Sequence, residues 1–177
     1  MAHVLLDAAR MSEAIETAKE LVGDNQYRCL YAGSAEETLS HVAPYLFSLQ
    51  NPAFVDWVLA EGWGQAWGVV VVTEAEPSVL YQHLKRFLYV RPEQGPALYF
   101  RYYDPRALRL FLPTCDADQL RAFFGPVRCF IAEDEDPAYA LNLSIEQGQL
   151  NQQRLPRAEA HTYLKQYLVK RYQRHHV

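Results

Sequence analysis

The densest apolar stretch of the chain is Ala66-Trp67-Gly68-Val69-Val70-Val71-Val72-Thr73, whose β-branched run predicts a strand buried on both faces. Around it the apolar positions switch between the periods of strands and helices. Residues 3–9, 28–33, 44–49, 97–103 and 127–132 read as extended, as do 139–145 and 149–155, which meet around Gly148 as a hairpin. The helical segments carry their own punctuation. Residues 12–22 place Ile15, Ala18, Leu21 and Val22 on one face and stop at Gly23. Ser34 with Glu37 predicts a capping box opening a helix over 35–41. Asn51-Pro52 and Asp104-Pro105 each set a capping side chain before a proline, whose missing N–H costs nothing in a first turn. Asp116 with Gln119 opens another helix, closed by Gly125-Pro126, and further helices are predicted over 77–88 and 158–174. The alternation predicts an α/β fold bordering on α+β, with a mixed central sheet covered by helices, a late β-hairpin and a C-terminal amphipathic helix. It is expected to form one domain over residues 1–155, with a basic helix over 156–177 packed on it or extending from it.

Composition supports a packed globule. Half of the residues are hydrophobic and 13% are aromatic, which excludes a largely disordered chain. The net charge of −4 gives no general case for nucleic acid, but it is unevenly spread. From Arg154 onward the chain carries +5, against −9 before it, and such asymmetry marks a candidate interaction element. Cys29, Cys115 and Cys129 include no CxxC pair and sit among apolar neighbours, so reduced buried thiols are expected. With neither a basic-then-apolar leader nor a long apolar run, a cytoplasmic protein without membrane contact is expected.

Few residues combine into a recognisable catalytic or ligand-binding pattern. The sequence has no Walker lysine motif, GxSxG, HExxH or GxGxxG, and no cofactor is expected. His3, His41, His83 and His161 lack the spacing that sets two imidazoles on one helix face. The acidic run Glu133, Asp134, Glu135 and Asp136 reads as a solvated turn, as a docking point for a basic partner, or as ligands for a hard cation. Tyr99, Arg101 and Tyr103 share one face of a predicted strand. They form either a stacking platform for single-stranded nucleic acid or peptide, or a strand whose arginines pair with nearby carboxylates. A metal-dependent hydrolase built on Asp104 or the 133–136 acids is the enzymatic alternative. In the C-terminal helix Ala160, Tyr163, Leu164, Tyr167, Leu168 and Tyr172 line one face, with Lys165, Lys170, Arg171 and Arg174 elsewhere. Docking on the core accounts for that pattern, and so does contact with a partner. The candidate partner-binding residues are therefore Tyr163, Leu164, Tyr167, Lys170 and Arg171, with Glu133, Asp134 and Glu135.

Several segments in order carry a family resemblance. They are Leu30-Tyr31-Ala32-Gly33-Ser34 with Glu37-Thr38-Leu39, Ala43-Pro44-Tyr45-Leu46, Gly62-Trp63-Gly64 with Trp67-Gly68, and His83 to Leu88 with Val90-Arg91. Tyr99 to Arg106, Phe111-Leu112-Pro113-Thr114-Cys115, and Phe124-Gly125-Pro126-Val127 running into Glu133-Asp134 complete the set. Across residues 27–136 the chain resembles the family of domain of unknown function 4123, whose members are similar to adaptor chaperones of the bacterial type VI secretion system. The resemblance implies a non-catalytic protein that binds an effector toxin and helps to load it onto the VgrG spike, without a cofactor.

Overall fold

The structure is a computed structural model and describes residues 1–31, 33–91 and 94–172, with the side chains at 34–36 and 166–172 left undescribed. In chain order the elements are β1 (Ala2–Asp7), α1 (Ala8–Met11), α2 (Ala14–Val22), β2 (Tyr27–Cys29), α3 (Ser34–Leu39), β3 (Pro44–Ser48) and α4 (Pro52–Trp57). Then come β4 (Gly68–Thr73), α5 (Pro77–Arg86), β5 (Tyr89–Val90), β6 (Leu98–Tyr99), α6 (Pro105–Phe111), α7 (Ala117–Phe124) and β7 (Val127–Glu133). The β8 (Tyr139–Glu146) and β9 (Gln149–Pro156) strands lead into α8 (Arg157–Tyr172).

Seven strands form one sheet in the order β2-β3-β1-β4-β7-β8-β9, and β5 pairs with β6 in a separate ribbon. The α/β composition, the central sheet, the late hairpin and the C-terminal helix follow the sequence expectation. Every pairing is antiparallel, which sets the fold on the α+β side of that border. Strand order follows from burial. The β1 and β4 strands are buried on both faces and lie centrally, whereas polar β9 forms an edge. On one face Val4, Leu6, Phe47, Val70 and Ile131 pack beneath α1, α2, α4 and α8. On the other, Leu5, Leu46, Val69, Val71 and Phe130 pack beneath α5, α6 and α7. At Gly68 the strands approach so closely that a Cβ would lie 1.9 Å from the Leu5 carbonyl oxygen, so only glycine fits. Gln147 and Gly148, both at positive φ, make the two-residue turn between β8 and β9.

The local start signals mostly hold. Asn51 accepts from the Ala53 and Phe54 N–H groups, Asp104 from Arg106, and Asp116 with Gln119 closes a full capping box. Three expectations change. The helix expected over 12–22 forms as α2 but opens at Ala14, whereas the strand expected over 3–9 ends at Asp7, which caps the short α1 at Ala9, and Ser12 at positive φ separates α1 from α2. The helix expected over 35–41 opens one residue earlier, because Gly33 at φ 61° takes the N-cap position and Ser34 becomes the first residue of α3. The strand predicted over 97–103 shrinks to β6. Tyr102 and Tyr103 obtain their burial in a turn, where the Tyr102 hydroxyl donates to the Leu84 carbonyl at 2.7 Å. The aromatic strand signal there reflects burial, which a turn satisfies equally well.

The first half of α8 is docked on the domain. Ala160 and Leu164 enter the core, Arg157 donates to the Leu59 carbonyl at 3.0 Å, and Lys165 pairs with Asp56 at 2.6 Å. Among the described residues, no helix is long and apolar enough to cross a membrane.

Candidate partner-binding surface

The short ribbon carries the unusual surface. Among the described residues seven large hydrophobic side chains are exposed, and four of them lie on β5 and β6: Tyr89 (58%), Val90 (38%), Leu98 (53%) and Tyr99 (37%). The register Tyr89↔Tyr99 and Val90↔Leu98 sets the two aromatics on one side and the two aliphatics on the other. An isolated two-stranded ribbon is marginal in water, so anchors are needed. The Phe100 N–H donates to the Leu88 carbonyl at 2.8 Å and extends the pairing toward α5. The Tyr31 hydroxyl donates to the Tyr99 hydroxyl at 2.9 Å, and Tyr99 and Tyr103 share a second hydroxyl bond at 2.8 Å. Tyr89 meets Tyr99 edge-on, with ring centroids 5.4 Å apart. Burial pushes the phenols of Tyr31, Tyr99 and Tyr103 above their ordinary range, so this hydroxyl chain stays neutral and serves as a brace.

Next to the brace, the Arg101 guanidinium closes on the buried carboxylate of Asp7. Burial is the largest influence on Asp7 and leaves its carboxyl above the usual range, although Arg101 and the Ala9 N–H pull it down. Asp104 also feels burial first, but Arg106 outweighs it through the backbone and a guanidinium bond of 2.6 Å, so this carboxyl lies below its usual range. The structure thus brings Tyr99, Arg101 and Tyr103 together, as the sequence suggests, but Arg101 is committed to Asp7. Tyr103 is buried and offers no face to a nucleobase.

The acidic run is used mainly inside the fold. The Glu133 carboxylate accepts from Gly64 N–H at 2.6 Å and Ala66 N–H at 2.8 Å, while its carbonyl accepts from Arg109 at 2.7 Å. Burial raises its carboxyl above the usual range against those bonds. Asp134 accepts from the Asp136 N–H at 2.9 Å and from Arg154 at 3.2 and 3.3 Å. Those bonds overcome its burial and hold it below the ordinary value. Asp136 accepts from the Ala138 N–H, and Glu135 is exposed. Among the described residues no group of three or more His, Cys, Asp or Glu side chains is arranged to hold a metal ion.

Of the C-terminal candidates, Leu164 is 3% exposed and belongs to the core, so it adds nothing to the surface. Tyr163 is half-buried against the same core. The side chains of Tyr167, Lys170 and Arg171 lie outside the described residues, although the α8 backbone runs through them. The three thiols are free, and burial pushes that of Cys129 up to about 11. Tyr89, Val90 and Leu98 are absent from the sequence-predicted site. Their signal is the pair of short β-prone runs flanking Gly95-Pro96, a hairpin pattern easily read as the end of the preceding helix.

No curated protein and no solved structure matches the chain. A family model matches residues 2–122, beginning earlier than the 27–136 resemblance and ending before the acidic run. That match includes β1, the ribbon and the Asp7–Arg101 pair, and over two thirds of its length the chain belongs to the family described as Domain of unknown function (DUF4123).

Proposed function

We propose that this protein is a non-catalytic adaptor of a bacterial type VI secretion system, which holds an effector toxin in the cytoplasm and helps to load it onto the VgrG spike. The observation that carries this reading is the ribbon, where four apolar side chains are held at the surface by a braced scaffold. Exposed large apolar side chains gathered on one short element are characteristic of a protein-binding site, and rigid tyrosines give large contact area with little rotamer entropy to lose. The carboxylates offered by sequence for hydrolysis, Asp104 and Glu133, are engaged as a helix cap and a loop clamp.

Co-expression with the spike and effector encoded beside it, followed by size-exclusion chromatography, tests the proposal. A stable co-eluting complex is expected, and Tyr89→Ser with Leu98→Ser is expected to weaken it about thirtyfold or more, as for a hot spot. Separate elution of all three proteins at low and moderate salt would overturn the adaptor reading.

A further inference from the structure

A second surface feature is built by elements that lead in sequence to the ribbon and its brace, β2 toward Tyr31 and α5 toward Tyr89. A recess of about 370 Å³ opens between α2, β2, β3 and α5, with Lys19, Arg28, Tyr27, Tyr45 and Tyr81 in its wall. Cations cover its aromatic rings. The Arg28 guanidinium carbon lies 3.9 Å from the Tyr81 ring centre, with Lys85 Nζ 5.6 Å from the same ring. Lys19 Nζ lies 4.6 Å from the Tyr45 ring centre and 5.9 Å from that of Tyr27. Lys19 already has a carboxylate, that of Glu16 at 2.8 Å. Arg28 and Lys85 form no ion pair among the described residues, in a chain where acids outnumber Lys and Arg, 21 to 17. From Pro77 to Arg91 the sequence carries Lys85, Arg86 and Arg91 with no carboxylate at all.

We infer that the Tyr81 edge of this recess, where Arg28 from its wall and Lys85 from outside it both approach one ring, is a carboxylate-binding site that receives an acidic side chain of the protein partner that covers the ribbon. A guanidinium laid on a ring face is already ordered and keeps its N–H edge for an anion, so little entropy remains to be lost when a carboxylate docks. The Tyr81 ring is itself fixed, because its hydroxyl donates to the Cys29 carbonyl at 2.9 Å. Continuity gives the partner's composition. The chain passes from Arg28 through Leu30 to Tyr31, which holds Tyr99, and α5 carries Tyr81 and Lys85 into Tyr89. A segment lying along both features therefore presents apolar side chains to the ribbon and Asp or Glu to the recess. Such complementary charge steers encounter and fixes register.

The inference deepens the adaptor reading and rests on it for the existence of a partner. The probe is a fluorescein-labelled hexaglutamate peptide, followed by anisotropy and by the NMR signals of the Arg28 guanidinium and the Lys85 ammonium group. Binding that weakens with added salt and moves both signals is expected, with about a tenfold loss in Arg28→Gln/Lys85→Gln. Arg121→Gln, which removes a surface cation paired with Asp118, is expected to leave binding unchanged. Unmoved signals, or equal binding by the double variant, would overturn the inference. So would inorganic phosphate binding as tightly as the peptide, since that outcome describes a small-anion site. The double variant neutralises two surface cations, and an unchanged thermal melt checks its fold. If spike and effector fail to co-elute while the peptide still docks at Arg28, the recess stands and the adaptor reading falls. If the complex forms undiminished in Arg28→Gln/Lys85→Gln, the recess falls and the adaptor reading stands.

Discussion

Asp7 and Arg101, 94 residues apart in sequence, close an ion pair whose acid is wholly buried and whose base stands half in water. The pair ties the end of β1 to the segment that follows β6. It therefore joins the centre of the sheet to the base of the exposed ribbon, and Asp7 holds α1 in the same arrangement through Ala9.

Removing the base alone is expected to be costly. Arg101→Met strands a buried carboxylate, and breaking such a pair costs about 3–5 kcal/mol when both partners are buried. Because the Arg101 side chain is 43% exposed, water screens part of the interaction and about 2 kcal/mol is expected. The folded-state carboxyl of Asp7 is already raised, so the folded protein takes up a proton where the unfolded chain does not. Stability held by that group is therefore present at low pH and lost as pH rises through its folded value. Without Arg101 the carboxyl rises further. The variant's deficit in melting temperature is expected to narrow on acidification from about pH 7 to pH 5. A deficit that widens would contradict the pairing.

Glu133 clamps a loop across a comparable sequence distance, through bonds to Gly64 and Ala66. Glu133→Ala leaves two backbone donors without their acceptor, at about 1–3 kcal/mol for each group that stays buried. Faster hydrogen exchange is expected at the Gly64 and Ala66 amides, with little change at the Tyr89 amide in the ribbon. Unchanged exchange at both sites would show that the clamp contributes nothing to holding the loop.

The elements opened by Asn51, Asp104 and Asp116 are legible in sequence because each cap acts within three residues of itself. The central position of β4 is legible for a related reason, since four successive valines leave no polar face to expose. What is not legible is decided at long range. The sequence leaves Arg101 open between a stacking platform and a pair with some carboxylate, and only the fold identifies that carboxylate as Asp7; Glu133 reads as part of a solvated turn until Gly64 and Ala66 arrive. Tyr102 and Tyr103 show the same limit. Their aromatic character predicts burial correctly and secondary structure wrongly, because much of what buries them, in α5 and α7, is distant in sequence.

His161 makes α8 sensitive to acid. Its ring meets Trp63 edge-on at 5.1 Å, and its Nε2 is buried without a hydrogen-bond partner among the described residues. Burial, followed by the charges of Arg157 and Lys165, lowers it to about 4. The unfolded chain thus binds a proton near the ordinary value of about 6.5, whereas the folded chain resists it. Stability is complete above that ordinary value and is lost as pH falls toward 4, by about 2 kcal/mol. His161→Phe keeps a ring against Trp63 and removes the titration. Thermal melts across that window are expected to converge at neutral pH and to separate in acid, with the variant higher. Parallel curves would remove His161 as the cause.

The two halves of α8 are expected to respond differently to substitution. Leu164 is a core residue, so Leu164→Ala is expected to cost about 2–4 kcal/mol of stability. It should weaken complex formation only as far as it unfolds the protein. Arg171 lies seven residues farther along the helix, in the segment that gives the chain its basic end. If that segment meets the acidic surface of a partner, Arg171→Glu lowers affinity and leaves the melt of the isolated protein nearly unchanged. Replacing a favourable contact with a repulsive one there is expected to cost about 1–2 kcal/mol, a loss of roughly tenfold. Calorimetric titration and thermal melts on the two variants separate the roles. Loss of stability in Arg171→Glu with affinity intact would make the whole helix a structural element and leave partner contact to the ribbon.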